Sequence, residues 1–319
     1  MRWIALAASF LAFDALAQAY PVKPVRVILR VAPGGLQDSL ARAIAVDLTK
    51  FLGQPVIVEN RPSAGGVAGA EFVARSAPDG YNIVQSDNIG FLFNEFVRTE
   101  KLPYELERDF SPVIVLASAK NMAVASLKAP VSTMRELVAL AKQKPGFINY
   151  GSSGIGSSFH IDAEALSSES GIRMNHVPYK GGAPILQALM TNELDFALVG
   201  MTAAIPLIRQ GRIKALAYGG LQRSALFPDV PTLSESGFKG FDSSAWWWWL
   251  VPAATPRAII DKIAADTGRV LTTPEFRERH ITAVGHEVVN APGAKAWEMY
   301  NEDRRAFAAR VKPLNLKLD

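Results

Sequence analysis

Val25-Arg26-Val27-Ile28-Leu29-Arg30-Val31-Ala32-Pro33-Gly34-Gly35-Leu36-Gln37-Asp38 is the stretch that decides the fold. Its first seven residues alternate as a strand does. Pro33-Gly34-Gly35 then breaks the chain. Leu36, Leu40, Ile44, Leu48 and Phe51 recur at helical spacing, and Gly53 ends the helix. Residues 55–58 resume an extended run. The unit is strand, glycine-rich turn, helix, strand. Its turn lies at the C-terminal end of the strand, where open α/β sheets place their ligands.

The alternation continues outward. Residues 70–77 read as helix and 81–85 as strand. Residues 113–127 form a long, mostly apolar extended run, a connection between two domains. Thr133-Met134-Arg135-Glu136 is a capping box opening a helix to about Lys144. A strand at 147–150 leads into Gly151-Ser152-Ser153-Gly154-Ile155-Gly156-Ser157-Ser158-Phe159-His160, with a helix over about 158–168. Strands follow at 174–177, 194–199 and 213–218, and a helix at 184–191. Thr255-Pro256 supplies an N-cap and first-turn proline for a helix with Ile259, Ile260, Ile263 and Val270 on its apolar face. Thr273-Pro274-Glu275 opens another. Both halves carry strand–helix–strand character, so the class is α/β with a parallel sheet and two lobes.

A chain of 319 residues is long enough for about two domains. It has no cysteine, which removes disulfides, thiolate nucleophiles and Cys-ligated zinc. The four histidines (His160, His176, His280, His286) show no metal-ligand spacing, so no metal is expected. The net charge of +4 is scattered, with no basic run to hold nucleic acid. Arg2, an apolar run over 3–13 and Ala17-Gln18-Ala19 form a signal peptide, with cleavage expected after Ala19. That apolar run is too short to span a bilayer. An exported, periplasmic protein without a membrane span is therefore expected.

Three glycines and four serines in ten residues make 151–160 a loop for an anion. Backbone N–H groups can approach a ligand there, hydroxyls add donors, and the helix that follows points its positive end into the loop. Gly34-Gly35 offers similar chemistry from the other half, with Asp38 either orienting that loop or meeting a positive group on the ligand. Two such loops imply a cleft gripping a small carboxylate from both sides. No cofactor is expected. Gly154-Ile155-Gly156 lacks the third glycine of a dinucleotide fingerprint, and the loop holds neither a Walker Gly-Lys pair nor a Gly-x-Ser-x-Gly elbow. A serine hydrolase using a loop serine with His160 is the competing enzyme reading, with no catalytic residue assigned. Trp246 to Trp249 alternate faces on an extended segment. Core packing is the common fate of such residues, and one face, that of Trp246, is taken to line the cleft.

Together these motifs resemble the tripartite tricarboxylate transporter substrate-binding proteins, the Bug family of periplasmic receptors. The resemblance runs from about Tyr20 to about Val289. It is carried by Tyr20-Pro21-Val22-Lys23-Pro24-Val25-Arg26, Pro33-Gly34-Gly35-Leu36-Gln37-Asp38, Gly53-Gln54-Pro55-Val56-Ile57-Val58-Glu59-Asn60-Arg61-Pro62 and Ala77-Pro78-Asp79-Gly80-Tyr81. In the second half its carriers are Asn149-Tyr150-Gly151-Ser152-Ser153-Gly154, His176-Val177-Pro178-Tyr179-Lys180-Gly181 and Phe227-Pro228-Asp229-Val230-Pro231-Thr232.

The resemblance implies a type II-like, two-lobed periplasmic binding protein fold with a hinge and a ligand cleft. Lobe one would hold 20–120 plus 236–319, and lobe two 121–235. It implies a monomeric receptor, not an enzyme, that passes a small carboxylate to integral membrane permease subunits; a sensor for a membrane signalling protein would share the fold. Carried over, the pocket includes Gly34, Gly35 and Asp38, then Ser152, Ser153, Gly156, Ser157, Ser158, His160, Tyr179, Lys180 and Gly181, with Ser86 and Asn88 at a strand end. The chain departs from the family pattern in three places. Arg30-Val31-Ala32 replaces prolines and an aromatic before Gly34, so Arg30 either adds a charge near the cleft or faces solvent. Val199 stands where many members have Asp, which implies a pocket less suited to amine-bearing ligands. Trp248 stands where glycine is common, which implies a narrower or more aromatic cleft.

Overall fold

The computed structural model describes residues 20–314. The expected leader, 1–19, lies outside them. The chain opens with β1 (Val25–Leu29), α1 (Leu36–Leu52), β2 (Val56–Asn60), α2 (Val67–Ala74), β3 (Asn82–Asp87), α3 (Asn88–Phe96), α4 (Leu106–Asp109) and the long β4 (Phe110–Ala125). It continues with α5 (Met134–Gln143), β5 (Asn149–Ser152), α6 (Ser158–Ser170), β6 (Asn175–Pro178), α7 (Gly182–Thr191), β7 (Phe196–Gly200), α8 (Met201–Arg209) and β8 (Lys214–Tyr218). It closes with β9 (Ser244–Pro252), α9 (Arg257–Thr272), α10 (Pro274–His280), β10 (His286–Pro292) and α11 (Gly293–Val311).

The strands follow the order β2-β1-β3-β9-β4-β7-β5-β6, with β8 and β10 also pairing with β4. Two parallel segments, β2-β1-β3 and β7-β5-β6, are joined through antiparallel strands. Strand β4 belongs to both lobes. From Phe110 to Lys120 it pairs with β9, and from Asn121 to Ala125 with β7.

The lobes touch where Asn121, Gly219 and Ser243 cross. Asn121 N–H donates to Ser243 O at 3.0 Å, Gly219 N–H to Asn121 O at 2.8 Å, and Ser243 N–H to Gly219 O at 2.8 Å. A Cβ on Gly219 would lie 2.7 Å from Ser243 O and 2.8 Å from Asn121 O, so only glycine fits. Beside this crossing, Arg310 of α11 pairs with Asp162 of α6 at 3.0 Å, and Asp162 also accepts the Ser243 hydroxyl.

The four tryptophans lie on β9 and alternate as expected. Trp247 and Trp249 enter the cluster beneath α1 and α9 with Leu29, Ile44 and Ile263. Trp246 and Trp248 enter the opposite cluster with Ile28, Phe91 and Tyr300. Both faces of this strand are core, which corrects the expectation that Trp246 lines the cleft. Trp248 is fully buried, stacked on Tyr300 at 5.3 Å and edge-on to Phe91 and Trp297. Its bulk therefore fills lobe one and does not narrow the cleft. Val199 is likewise buried, in the cluster with Met122, Ile185 and Leu189. A carboxylate at this position would face that apolar packing.

The extended run read over 113–127 is β4. Thr133 caps α5 as expected, its Oγ1 accepting from Glu136 N–H at 3.1 Å, and Glu136 Oε2 accepts from Ser132 N–H at 2.6 Å. Thr255 does not cap α9. Pro256 stays extended (ψ 135°), the helix starts at Arg257, and the Thr255 hydroxyl donates instead to Pro252 O at 2.7 Å. No helix of the described residues is long and apolar enough to cross a membrane.

Candidate functional site

A cavity of about 550 Å³ lies between the lobes, beyond the C-terminal ends of β1, β2, β3 and β5. Lobe one lines it with Arg30, Val31, Ala32, Gln37, Pro62, Ser63, Gly65, Gly66, Ser86, Asp87, Ile89, Gly90 and Phe93. Lobe two contributes Ile155, Gly156, Ser157 and Ser158, and Ala245 completes the wall. Four helices, α1, α2, α3 and α6, begin at this wall, as parallel strand–loop–helix units require. Their first-turn N–H groups have no partner within the helix and carry the positive end of the dipole. Gly35 and Gly66, which precede α1 and α2, offer no side-chain cap. Asp87 caps α3 by accepting from Gly90 N–H, and also accepts from Gln37 Nε2. Gln37 Oε1 is buried here with no partner among the described residues.

Arg30 dominates the lobe-one wall. It is only 5% exposed. Its Nε donates to Gly66 O at 2.9 Å, Nη2 to Gly65 O and Nη1 to Ser86 Oγ. The guanidinium also lies 4.2 Å over the ring of Phe91. The approach depends on glycine at 66, which has φ +67°. A Cβ there would sit 2.7 Å from both Cβ and Nε of Arg30. Of the two expectations for Arg30, the cleft position is the observed one.

The lobe-one loop is held by Asp38. Its Oδ2 accepts from Gly34 N–H at 3.0 Å and Arg42 Nε at 2.9 Å; its Oδ1 accepts from Arg42 Nη2 and Asn60 Nδ2, both at 2.9 Å. Arg42 above all, then the Gly34 N–H and Asn60, hold the Asp38 carboxyl down at about 2 against the opposing effect of burial. Both oxygens are occupied, so Asp38 orients the loop.

The lobe-two loop is held without net charge. Ser157 Oγ accepts from His160 N–H at 3.3 Å and caps α6. Gly156 N–H donates to His160 Nδ1 at 3.1 Å, a bond that requires this nitrogen to be unprotonated. The rings of His160 and His176 lie 4.2 Å apart, and His176 stacks on Tyr150, whose hydroxyl donates to Glu164. Ser152, fully buried, is hydrogen-bonded to His176 Nε2 at 2.7 Å. Burial pushes the pKa values of His160 and His176 down, that of His176 also through its neighbour His160.

Of the residues expected from sequence, Ser86, Gly156, Ser157 and Ser158 line the cavity. Gly34, Gly35 and Ser153 lie in the same loops beside lining residues. Asp38, Ser152 and His160 lie behind the wall and brace it. Tyr179, Lys180 and Gly181 lie between β6 and α7 and are not among the residues lining the cavity. Asn88 and Trp246 are off it too. Asn88 Nδ2 and Trp246 Nε1 both donate to Asp303 Oδ2, at 2.7 and 2.6 Å, and Trp246 N–H donates to Asn88 Oδ1. The hydrolase pairing of His160 with a loop serine is not formed through its side chain. Its Nδ1 holds Gly156, and the serine on an imidazole is Ser152, buried against His176.

Sequence reading missed Ser63, Gly65, Gly66, Gln37, Asp87 and Ile155. The first three had a visible signal, a second Gly-Gly pair after β2 that mirrors Gly34-Gly35. Among the described residues, no group of three or more His, Cys, Asp or Glu is placed to hold a metal ion.

Two α/β lobes around a cleft rimmed by helix N-termini define a solute-binding protein of the periplasmic type. The chain belongs to the tripartite tricarboxylate transporter family of receptors, whose model matches residues 40–316. It is 33% identical over 315 residues to the protein BugT of Bordetella pertussis (strain Tohama I), covering 99% of this chain and 96% of that one. It superposes with a TM-score of 0.80 on R. palustris Rpa4515 with adipate, at 26% identity, covering 92% and 97% of the two chains. For MatC (Rpa3494) from Rhodopseudomonas palustris with bound malate the TM-score is 0.77, at 29% identity, covering 92% and 100%.

Proposed function

We propose that this protein is a periplasmic receptor that captures a small carboxylate between its lobes and delivers it to an integral membrane permease. The observation that carries the reading is the cavity itself. The serine-rich start of α6 from one lobe and Arg30 with the α1–α3 turns from the other line a single space. Adipate and malate in the structurally similar proteins support carboxylate as the ligand class. Residues 1–19 would direct export and be cleaved after Ala19. Lobe one would comprise 20–120 with 236–319, and lobe two 121–235; the change of partner along β4 between Lys120 and Asn121 supports that division. Binding needs no catalysis. Each neutral donor contributes about 0.5–1.5 kcal/mol net, and more toward a charged acceptor.

A thermal-shift screen of mature protein against mono-, di- and tricarboxylates, aromatic acids and amino acids tests this. A true ligand at 100 times its Kd adds about 2.7 kcal/mol of apparent stability and raises Tm. If no acid raises Tm and none binds by calorimetry, the carboxylate reading is wrong.

A further inference from the structure

The lobe-one wall holds a charge that no ion pair among the described residues answers. Arg30 is buried, and its three hydrogen bonds go to two carbonyls and a hydroxyl. No Asp or Glu among the described residues forms an ion pair with it. Asp87, the acidic residue of the same wall, has both oxygens engaged, by Gly90 N–H and by Gln37 Nε2. Burying a guanidinium without a counter-charge is costly. Neutral acceptors and the Phe91 face offset part of that cost and fix the group in place. A guanidinium has five N–H donors. Three are used here, leaving one on each terminal nitrogen.

We propose that Arg30 is a specificity-determining residue, a fixed positive charge at the cavity wall that selects solutes bearing a second anionic group, while the first is held at the start of α6. The inference rests on the carboxylate reading above and narrows it to dianionic solutes. A carboxylate brought beside Arg30 regains the Coulomb energy that burial withheld, and the planar fork suits its two oxygens. A matched monoanion can satisfy the α6 end but leaves Arg30 as it stands in the empty cavity. The dianion is therefore preferred over its monoanion by about 10- to 100-fold, the range of a charge-assisted hydrogen bond.

Calorimetric titration of the mature protein with straight-chain dicarboxylates of four to eight carbons, each beside the monocarboxylate of equal length, reads this ratio directly. The native protein should show it for at least one chain length. Arg30→Gln should bring the ratio close to one. Ser158→Ala, at the other end, should weaken both members of the pair by the same factor. Should Arg30→Gln fail to fold, because Gly65 and Gly66 lose their donor, Arg30→Lys serves: it keeps the charge, loses the fork and should cut the ratio at least threefold. A ratio of one in the native protein, or an unchanged ratio in either folded variant, overturns the assignment while leaving carboxylate binding intact. No binding of either series to native protein overturns the carboxylate reading, and this inference with it.

Discussion

The two loops that meet across the cleft are braced by opposite means. In lobe one, residues 31–38 hang on an ionised carboxylate, with Asp38 tied to Arg42, Asn60 and the Gly34 N–H. In lobe two, residues 151–160 hang on neutral imidazoles and hydroxyls, with His160 on Gly156, Ser157 on His160 and Ser152 on His176. The same task is done with charge on one side and without it on the other, so acid must undo the two sides at different pH. Asp38 titrates at about 2, below the ordinary 3.8. Its contribution is whole above 3.8 and disappears as the pH falls through 2. His160 and His176 are held below the ordinary 6.5. Above 6.5 they are neutral whether folded or not. Below it the unfolded chain takes up protons first, so the lobe-two brace weakens from 6.5 downward.

The largest expected effect comes from removing the charged brace. Asp38→Asn should cost about 1–3 kcal/mol in denaturant unfolding, since Arg42 loses its counter-charge and one of the two acceptor oxygens becomes a donor facing other donors. It should also lower affinity at least tenfold by releasing the loop. Unchanged affinity in a folded variant would show that the loop needs no brace. Next is acidification. Denaturant unfolding between pH 8 and 5.5 should show stability falling below 6.5, and His160→Asn, which keeps an acceptor for Gly156 but cannot take up a proton, should flatten part of that decline. An identical decline in the variant would move the effect away from His160. The smallest effect is the most controlled. Ser157→Ala and Thr133→Ala each remove a helix N-cap, of α6 and α5, and each should cost about 1 kcal/mol of stability. Only the first lies on the cavity wall, so only the first should weaken ligand binding, by about three- to tenfold. Equal affinities in the two variants would remove Ser157 from the binding surface.

The framework was legible because each strand–turn–helix unit announces itself locally. The alternation of Val25 to Val31, the spacing of Leu36 to Phe51 and the Thr133 cap are decided by neighbours in the chain. What was missed depends on distant partners. Helix α3 begins Asn88-Ile89-Gly90, weak helix formers that stand only because Asp87 caps them and Phe91 packs on Trp248. Helix α8 carries Pro206 inside it. The fate of Trp246 turns on Asp303 of α11, which lies 57 residues from the tryptophan it binds. The site was legible in the same uneven way. The loops could be read, because glycine and serine imply backbone exposure. Which residues line the cavity and which brace it from behind, as with Ser152 and His160, is set by contacts with partners elsewhere, such as Ser152 on His176, and not by residue type. Arg30 was the most ambiguous of all, since its orientation is decided by Gly65 and Gly66, more than thirty residues later.

A single strand, β4, is stitched into both lobes and held at Asn121 by Gly219 and Ser243. Any change in the angle between the lobes must therefore twist a hydrogen-bonded ribbon. A flexible tether gives way freely, but a ribbon pushes back. The fold is built like a torsion spring, with β4 as the element that a change of lobe angle must load.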